Sequence, residues 1–192
     1  MRRKTLIVMV KEPRAGRVKT RLGREIGMVT AARWYRQQVT GLLRRLRDPR
    51  WQLVLSVAPD AACQSRVWPD DLLRMPQGRG DLGHRMRHAL SGFTGPVVLI
   101  GSDIPGVTRS HVADAFAELR AAKSVIGPAR DGGFWLIGLA NGAAATRSMF
   151  KGARWSHPET LEDVLPTLPK PVGKAATMRD VDTASDLWTG RK

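Results

Sequence analysis

Residues 5–10, Thr-Leu-Ile-Val-Met-Val, present apolar side chains to both faces of any strand they form. A strand at the edge of water alternates apolar and polar residues. A continuous apolar run belongs to a sheet covered on both sides. Similar runs return at 51–57 (WQLVLSV), 96–100 (PVVLI), 124–129 (SVIGPA) and 134–139 (FWLIGL). Between them the spacing changes to three and four. Tyr35, Val39, Leu42, Leu43 and Leu46 make one helical face within 30–47, with Arg33, Arg36, Arg44 and Arg45 largely off it. Asp81 stands where an N-cap would open a helix carrying Leu82, Met86, Ala89 and Leu90 on one side. Val112, Phe116 and Leu119 repeat the helical period within 108–120.

Alternating strands and helices predict a single α/β domain over 1–192 with a mainly parallel sheet. The tail of the chain is expected to add a helix over 157–168, starting near Pro158. A strand near 174–181 and a terminal helix from Thr183 would follow. In such sheets ligands bind outside the carboxyl ends of the strands. The most unusual polar segments all follow apolar runs: 11–21, 101–106 and 128–133.

Charge narrows the partners. The chain carries a formal net charge of +15, and residues 1–50 hold 15 basic and three acidic side chains. Such a field attracts anions, from nucleotides to nucleic acid. Basic and aromatic residues do not interleave on one strand face, however, and no RNP-like or helix-turn-helix pattern is present, so nucleic acid is the remote reading. Cys63 is the one cysteine, which excludes an internal disulfide framework. The opening apolar run ends at Lys11, far short of the ~18 residues a membrane span needs. A soluble, cytoplasmic protein with no membrane insertion is the expectation.

Each polar segment has a chemical reading and a plainer one. In 11–21, Lys11, Arg14, Arg17, Lys19 and Arg21 surround Gly16. A loop leaving a strand can aim backbone N–H groups and cations at phosphate, and a glycine lets the backbone approach closely. The spacing is not that of the usual P-loop, and the same residues also read as a solvated basic loop. In 101–106 (GSDIPG), Asp103 is placed to hold Mg²⁺ or simply to make a turn. Asp180, Asp182 and Asp186 offer a second carboxylate or the caps of a last helix. The pair Gly132 and Gly133 after Asp131 makes a tight turn or admits a ligand. The four histidines have no zinc-like spacing.

Together, "KEPRAGRVKTRLG", "QGRGDLGHRM", "GSDIPGV", "GPARDGGFWLIGL", "FKGARWSHPETL" and "RDVDTASDL" resemble, in order, the motifs of the DUF2064 family. Its members are commonly labelled glycosyltransferases, some linked to arsenosugar biosynthesis. The family is similar to the nucleotide-diphospho-sugar transferase superfamily, which includes molybdenum cofactor guanylyltransferase and 2-phospho-L-lactate guanylyltransferase. The resemblance spans roughly 5–188. It implies a GT-A, Rossmann-like α/β/α sandwich with a mostly parallel sheet.

By the same resemblance Lys11, Gly16, Lys19 and Arg21 meet the nucleotide phosphates, and Gln77, Gly78 and Asp81 lie near the nucleotide. Asp103 and Asp182 would hold Mg²⁺ or Mn²⁺. Asp131, Gly132, Gly133 and Trp155 would border the acceptor. Two departures fall on that side: Arg130 precedes the "DGG", and the family's "WST"-like triplet reads Trp155-Ser156-His157. The several cations of 11–21 suit a triphosphate donor. The expected chemistry is therefore nucleotidyl transfer from a nucleoside triphosphate to a small phosphorylated acceptor, with Lys19 and Asp103 stabilising charge. The family's customary label favours the other reading. Glycosyl transfer from a nucleotide-sugar is the alternative, with Asp131 as its base.

Overall fold

A computed structural model of the chain describes residues 3–179. The elements in chain order are β1 (Thr5–Lys11), α1 (Thr20–Ile26), α2 (Met28–Arg45), β2 (Gln52–Ala58), β3 (Leu73–Pro76) and α3 (Leu82–Ser91). They continue as β4 (Val97–Ile100), α4 (Arg109–Glu118), β5 (Ser124–Pro128), β6 (Phe134–Leu139), α5 (Thr160–Val164) and β7 (Val172–Lys174). The strands form one seven-stranded sheet in the order β3-β2-β1-β4-β6-β5-β7. β1 pairs in parallel with β2 and β4, β2 with β3, and β5 with β7. Among the described residues only β6 runs against its neighbours, β4 and β5. The sheet is mostly parallel, as the continuous apolar runs predict.

Those runs are buried on both sides. Leu6, Val8 and Val10 of β1 pack with Tyr35, Leu42, Phe116 and Val98 on one face. Ile7 packs with Met86, Leu90, Leu99 and Phe150 on the other. This is the three-layer sandwich: α2 and α4 cover one face and α3 covers the opposite one.

Several elements differ from expectation. Residues 11–21 are not one loop, because β1 extends to Lys11 and α1 starts at Thr20, with Lys19 as its N-cap. β3 is short and half-exposed, so it lacks the apolar run that marks the other strands. The late helix shrinks to α5 followed by a 3-10 turn over Leu165–Thr167, because Pro166 cannot donate to a continuing α-helix. The last strand lies upstream of 174–181, at Val172–Lys174, and Met178 adds a single parallel bridge to Ala129. The expected terminal helix from Thr183 lies outside the described residues, as do Asp180, Asp182 and Asp186. Among the described residues no helix is long and apolar enough to cross a membrane.

The expected cap of α3 is present, and α4 has a cap of its own. Asp81 accepts from the backbone N–H of His84 at 2.8 Å and opens α3. Thr108 caps α4 with the reciprocal capping-box pair to His111.

Candidate functional site

β1 and β4 lie side by side, yet the chain leaves β1 toward β2 and leaves β4 toward the other edge. At this switch point the loops after the two strands separate and open a cleft of about 770 Å³. Its two sides come from opposite faces of the sheet.

The first side is cationic. Lys19 sits in the left-handed region (φ 44°, ψ 49°), which a side chain adopts only at a cost. That conformation turns its side chain back over the sheet edge, where Nζ lies 2.9 Å from Oδ2 of Asp103. The lysine side chain is 8% exposed and the aspartate 37%, so the carboxylate is the member open to the cleft. Lys11, at the end of β1, and Arg21, in the first turn of α1, line the same side.

The loop carrying Asp103 is held from behind. Arg45 Nη2 donates to the carbonyl of Pro105 at 2.7 Å, and its Nε to that of Val107 at 3.3 Å. A Cβ at Gly101 would come 2.9 Å from Asp103 Oδ1, so the glycine keeps room for the carboxylate. Tyr35 ties the two strand ends together. Its hydroxyl accepts from the backbone N–H of Lys11 at 3.1 Å and pairs with Ser102 Oγ at 2.8 Å. Burial pushes the Tyr35 phenol above its ordinary range, which keeps it neutral.

The second side is built on α3 and the loops around β6. Asp81, Leu82, Arg85 and Met86 face the cleft from the first turns of α3. Hydrogen bonds from the His84 backbone and then its ring hold the Asp81 carboxyl below its usual range. Phe134 and Trp155 meet edge to face with centroids 6.4 Å apart. Trp155 reaches α3 itself: a Cβ at Gly83 would come 2.7 Å from its Cζ2. Asp131 also lines the cleft, its Oδ1 accepting from the Gly133 N–H at 2.9 Å.

Of the residues expected from the sequence, Lys11, Lys19, Arg21, Gln77, Asp81, Asp103, Asp131, Gly133 and Trp155 converge on this cleft. Three others stand apart from its lining. Gly16 is exposed, with φ +74° and nothing within 4 Å of a built Cβ. Gly78 donates its N–H to Asp60 Oδ1 at 3.1 Å. Gly132 backs onto Pro158, whose carbonyl oxygen would lie 1.8 Å from a Cβ there. Gln77 reaches the cleft but is also a buried strut: its amide nitrogen donates to Val10 O and Ser56 O at 3.1 and 3.0 Å. Asp182, the expected second metal ligand, lies outside the described residues.

Sequence reasoning did not assign Tyr35, Ser102, Arg85 or Leu82 to the site. Tyr35 was counted as one apolar member of a helical face, although a buried phenol needs a hydrogen-bond partner. That need was a readable signal. Arg85 and Leu82 gave none, since one is an ordinary helical arginine and the other an ordinary core leucine until the helix is placed.

Asp103 suits a hard divalent cation. Mg²⁺ is commonly held by one or two carboxylates with water and substrate phosphates completing its shell, and Asp103 is an exposed oxygen donor already facing a cation. Among the described residues no group of three metal-ligating side chains occurs.

Residues 42–157 match the family described as "Uncharacterized protein conserved in bacteria (DUF2064)". A structure of a candidate nucleotide-diphospho-sugar transferase from Desulfovibrio desulfuricans G20 is similar over 97% of this chain and 85% of that one, with 31% identity and a TM-score of 0.85. Rv0371c from Mycobacterium tuberculosis H37Rv, in a complex with manganese, aligns over 98% and 97% of the two chains at 18% identity and a TM-score of 0.55. The 4-diphosphocytidyl-2C-methyl-D-erythritol synthase from Anaerococcus prevotii DSM 20548 aligns over 97% and 96%, at 10% identity and a TM-score of 0.59. The last two show likeness of fold alone. No curated protein matches. The fold is that of the nucleotide-diphospho-sugar transferases.

Proposed function

The chain belongs to the DUF2064 family, and we propose that it is a transferase moving a nucleotidyl group from a nucleoside triphosphate to a small phosphorylated acceptor. The observation that carries this reading is the contact between Lys19 and Asp103, 2.9 Å apart at the carboxyl edge of the sheet. A cation that can hold phosphate and a carboxylate that can hold a divalent ion stand at one point.

In this reading the triphosphate lies against Lys11, Lys19 and Arg21, while the acceptor enters from the side of Asp131 and Trp155. An oxygen of the acceptor phosphate forms a bond to the α-phosphorus as the bond to the bridging oxygen breaks. Pyrophosphate leaves with that electron pair. Lys19 and Arg21 offset the charge that grows on the departing group. A phosphate acceptor is already an anion, so no side chain has to remove a proton from it. A divalent ion at Asp103, Mg²⁺ or Mn²⁺, would supply Lewis-acid charge to the phosphates. Manganese in the Rv0371c complex supports divalent-metal use within the fold.

Glycosyl transfer from a nucleotide-sugar is the second reading. It is favoured by the name of the Desulfovibrio desulfuricans relative and by Asp131, an exposed carboxylate within the cleft. There Asp131 would take the acceptor proton.

A thermal-shift and calorimetric panel of nucleoside triphosphates and nucleotide-sugars, with and without Mg²⁺ or Mn²⁺, separates the two. A metal-dependent triphosphate hit supports nucleotidyl transfer, and a sugar-nucleotide hit supports glycosyl transfer. Binding of neither by the folded protein would refute both.

A further inference from the structure

Leu82 is 44% exposed, one of the few large apolar side chains left open to solvent among the described residues, and it faces the cleft. Half-buried Phe134 and Trp155 line the same side. Three apolar side chains from α3, β6 and the loop before α5 thus share one water-facing wall. Exposed apolar surface gathered in a concave site is what an apolar ligand face covers. Trp155 is fixed against α3 by Gly83 and against Phe134 and Phe150 by edge-to-face contacts. The wall is therefore preformed.

A charge stands beside it. Arg85, one turn along α3 from Leu82, lines the cleft and donates its Nε to the carbonyl of Gly80 at 3.0 Å. That bond fixes the base of the guanidinium. No carboxylate pairs with Arg85 among the described residues, and its two terminal nitrogens make no hydrogen bond there. A planar fork of donors held at one end and open at the other suits a phosphate or carboxylate.

We infer that the α3 side of the cleft is a subsite for an amphiphilic phosphate monoester, its anion on Arg85 and its apolar or planar group on Leu82, Phe134 and Trp155. This inference rests on the transferase reading for its role: the ligand of this subsite is the acceptor. It narrows that acceptor from any small phosphate to one carrying a hydrophobic substituent.

Phenyl phosphate and inorganic phosphate are the probes, titrated against the full chain by ligand-observed NMR. Covering part of a phenyl ring predicts phenyl phosphate binding about tenfold more tightly than inorganic phosphate. Leu82→Ser, at an exposed position that leaves the core intact, is expected to remove most of that advantage. Arg85→Gln is expected to weaken both probes. Equal binding of the two probes, or an advantage unchanged in Leu82→Ser, overturns the proposal. The titration is repeated with saturating nucleoside triphosphate and Mn²⁺. Displacement of phenyl phosphate would assign the wall to the donor nucleotide and overturn the acceptor subsite, whereas simultaneous binding supports it. Should no nucleotide bind while phenyl phosphate still depends on Leu82 and Arg85, the subsite stands and the transferase reading alone fails.

Discussion

The hydroxyl of Tyr35 lies 2.8 Å from Oγ of Ser102, a residue 67 positions away in sequence. The same oxygen accepts from the backbone N–H of Lys11. One buried phenol from α2 thus joins the end of β1, which leads into the cationic loop, to the residue before Asp103. Tyr35→Phe keeps the ring and strands both partners. Leaving buried polar groups unpaired costs about 1–3 kcal/mol, which in a chain of this size lowers the melting temperature by several degrees. Ser102→Ala and the double variant complete a cycle. Additive losses would show that the hydroxyl pair carries no coupling.

Asp103→Asn separates a site from a turn. The backbone of 101–107 is held by Arg45 and by the Gly101–Trp135 hydrogen bond, independently of the charge on Asp103. The substitution is expected to keep the melting temperature within a few degrees while abolishing any stabilisation by Mn²⁺ with nucleotide. Lys19→Met is expected to weaken nucleotide binding tenfold or more, because a cation beside phosphate is lost. Unfolding of Asp103→Asn, or intact metal-dependent binding, would return Asp103 to a structural turn.

The parts of this protein that could be read from sequence are those whose physics is local. Continuous apolar runs announced β1, β2 and β4 to β6, the cap Asp81 announced α3, and the helical spacing of Val112, Phe116 and Leu119 announced α4. β3 and α1 escaped because neither carries a pattern: β3 is four residues with no buried side chain, and α1 follows an N-cap lysine in a left-handed conformation. The antiparallel sense of β6 depends on where its partners lie, and its own residues do not encode it. At the site, Lys19 and Asp103 could be nominated as residue types, but their contact over 84 positions follows from the β1–β4 pairing. Gly16 and Gly132 were nominated for the same reason, freedom of backbone, and the structure gives them different surroundings.

The loop bearing Trp155 and His157 is fastened by Arg154, which donates from its backbone N–H and its guanidinium to Asp163 at 2.8–3.0 Å. The guanidinium hydrogen bond holds the Asp163 carboxyl well below its ordinary 3.8. A carboxyl with a depressed folded pKa stabilises the native state above its unfolded value, and this contribution is lost as pH falls through the folded one. Wild type is therefore expected to exceed Asp163→Asn in melting temperature by a constant margin from about pH 5 to 8. That margin shrinks below about pH 4. The pair is exposed, so the margin is small. A margin independent of pH down to 2 would mean that the carboxylate charge does nothing for the loop.

Gly132 and Gly16 both have positive φ, +88° and +74°, yet their surroundings differ. An alanine at Gly16 meets nothing within 4 Å, so it bears only the backbone cost of a left-handed conformation, about 1–2 kcal/mol. At Gly132 the added methyl would overlap the carbonyl oxygen of Pro158 at 1.8 Å, and a backbone atom cannot rotate away. The N–H of Leu161 also donates to the Gly132 carbonyl, so displacing the turn disturbs α5. Gly132→Ala is expected to lose roughly 2–5 kcal/mol by urea unfolding, the strain and the overpacking together. Because the shift pushes on 155–160, binding of phenyl phosphate should weaken in Gly132→Ala and stay unchanged in Gly16→Ala. Equal destabilisation by the two substitutions would show that the contact with Pro158 yields freely.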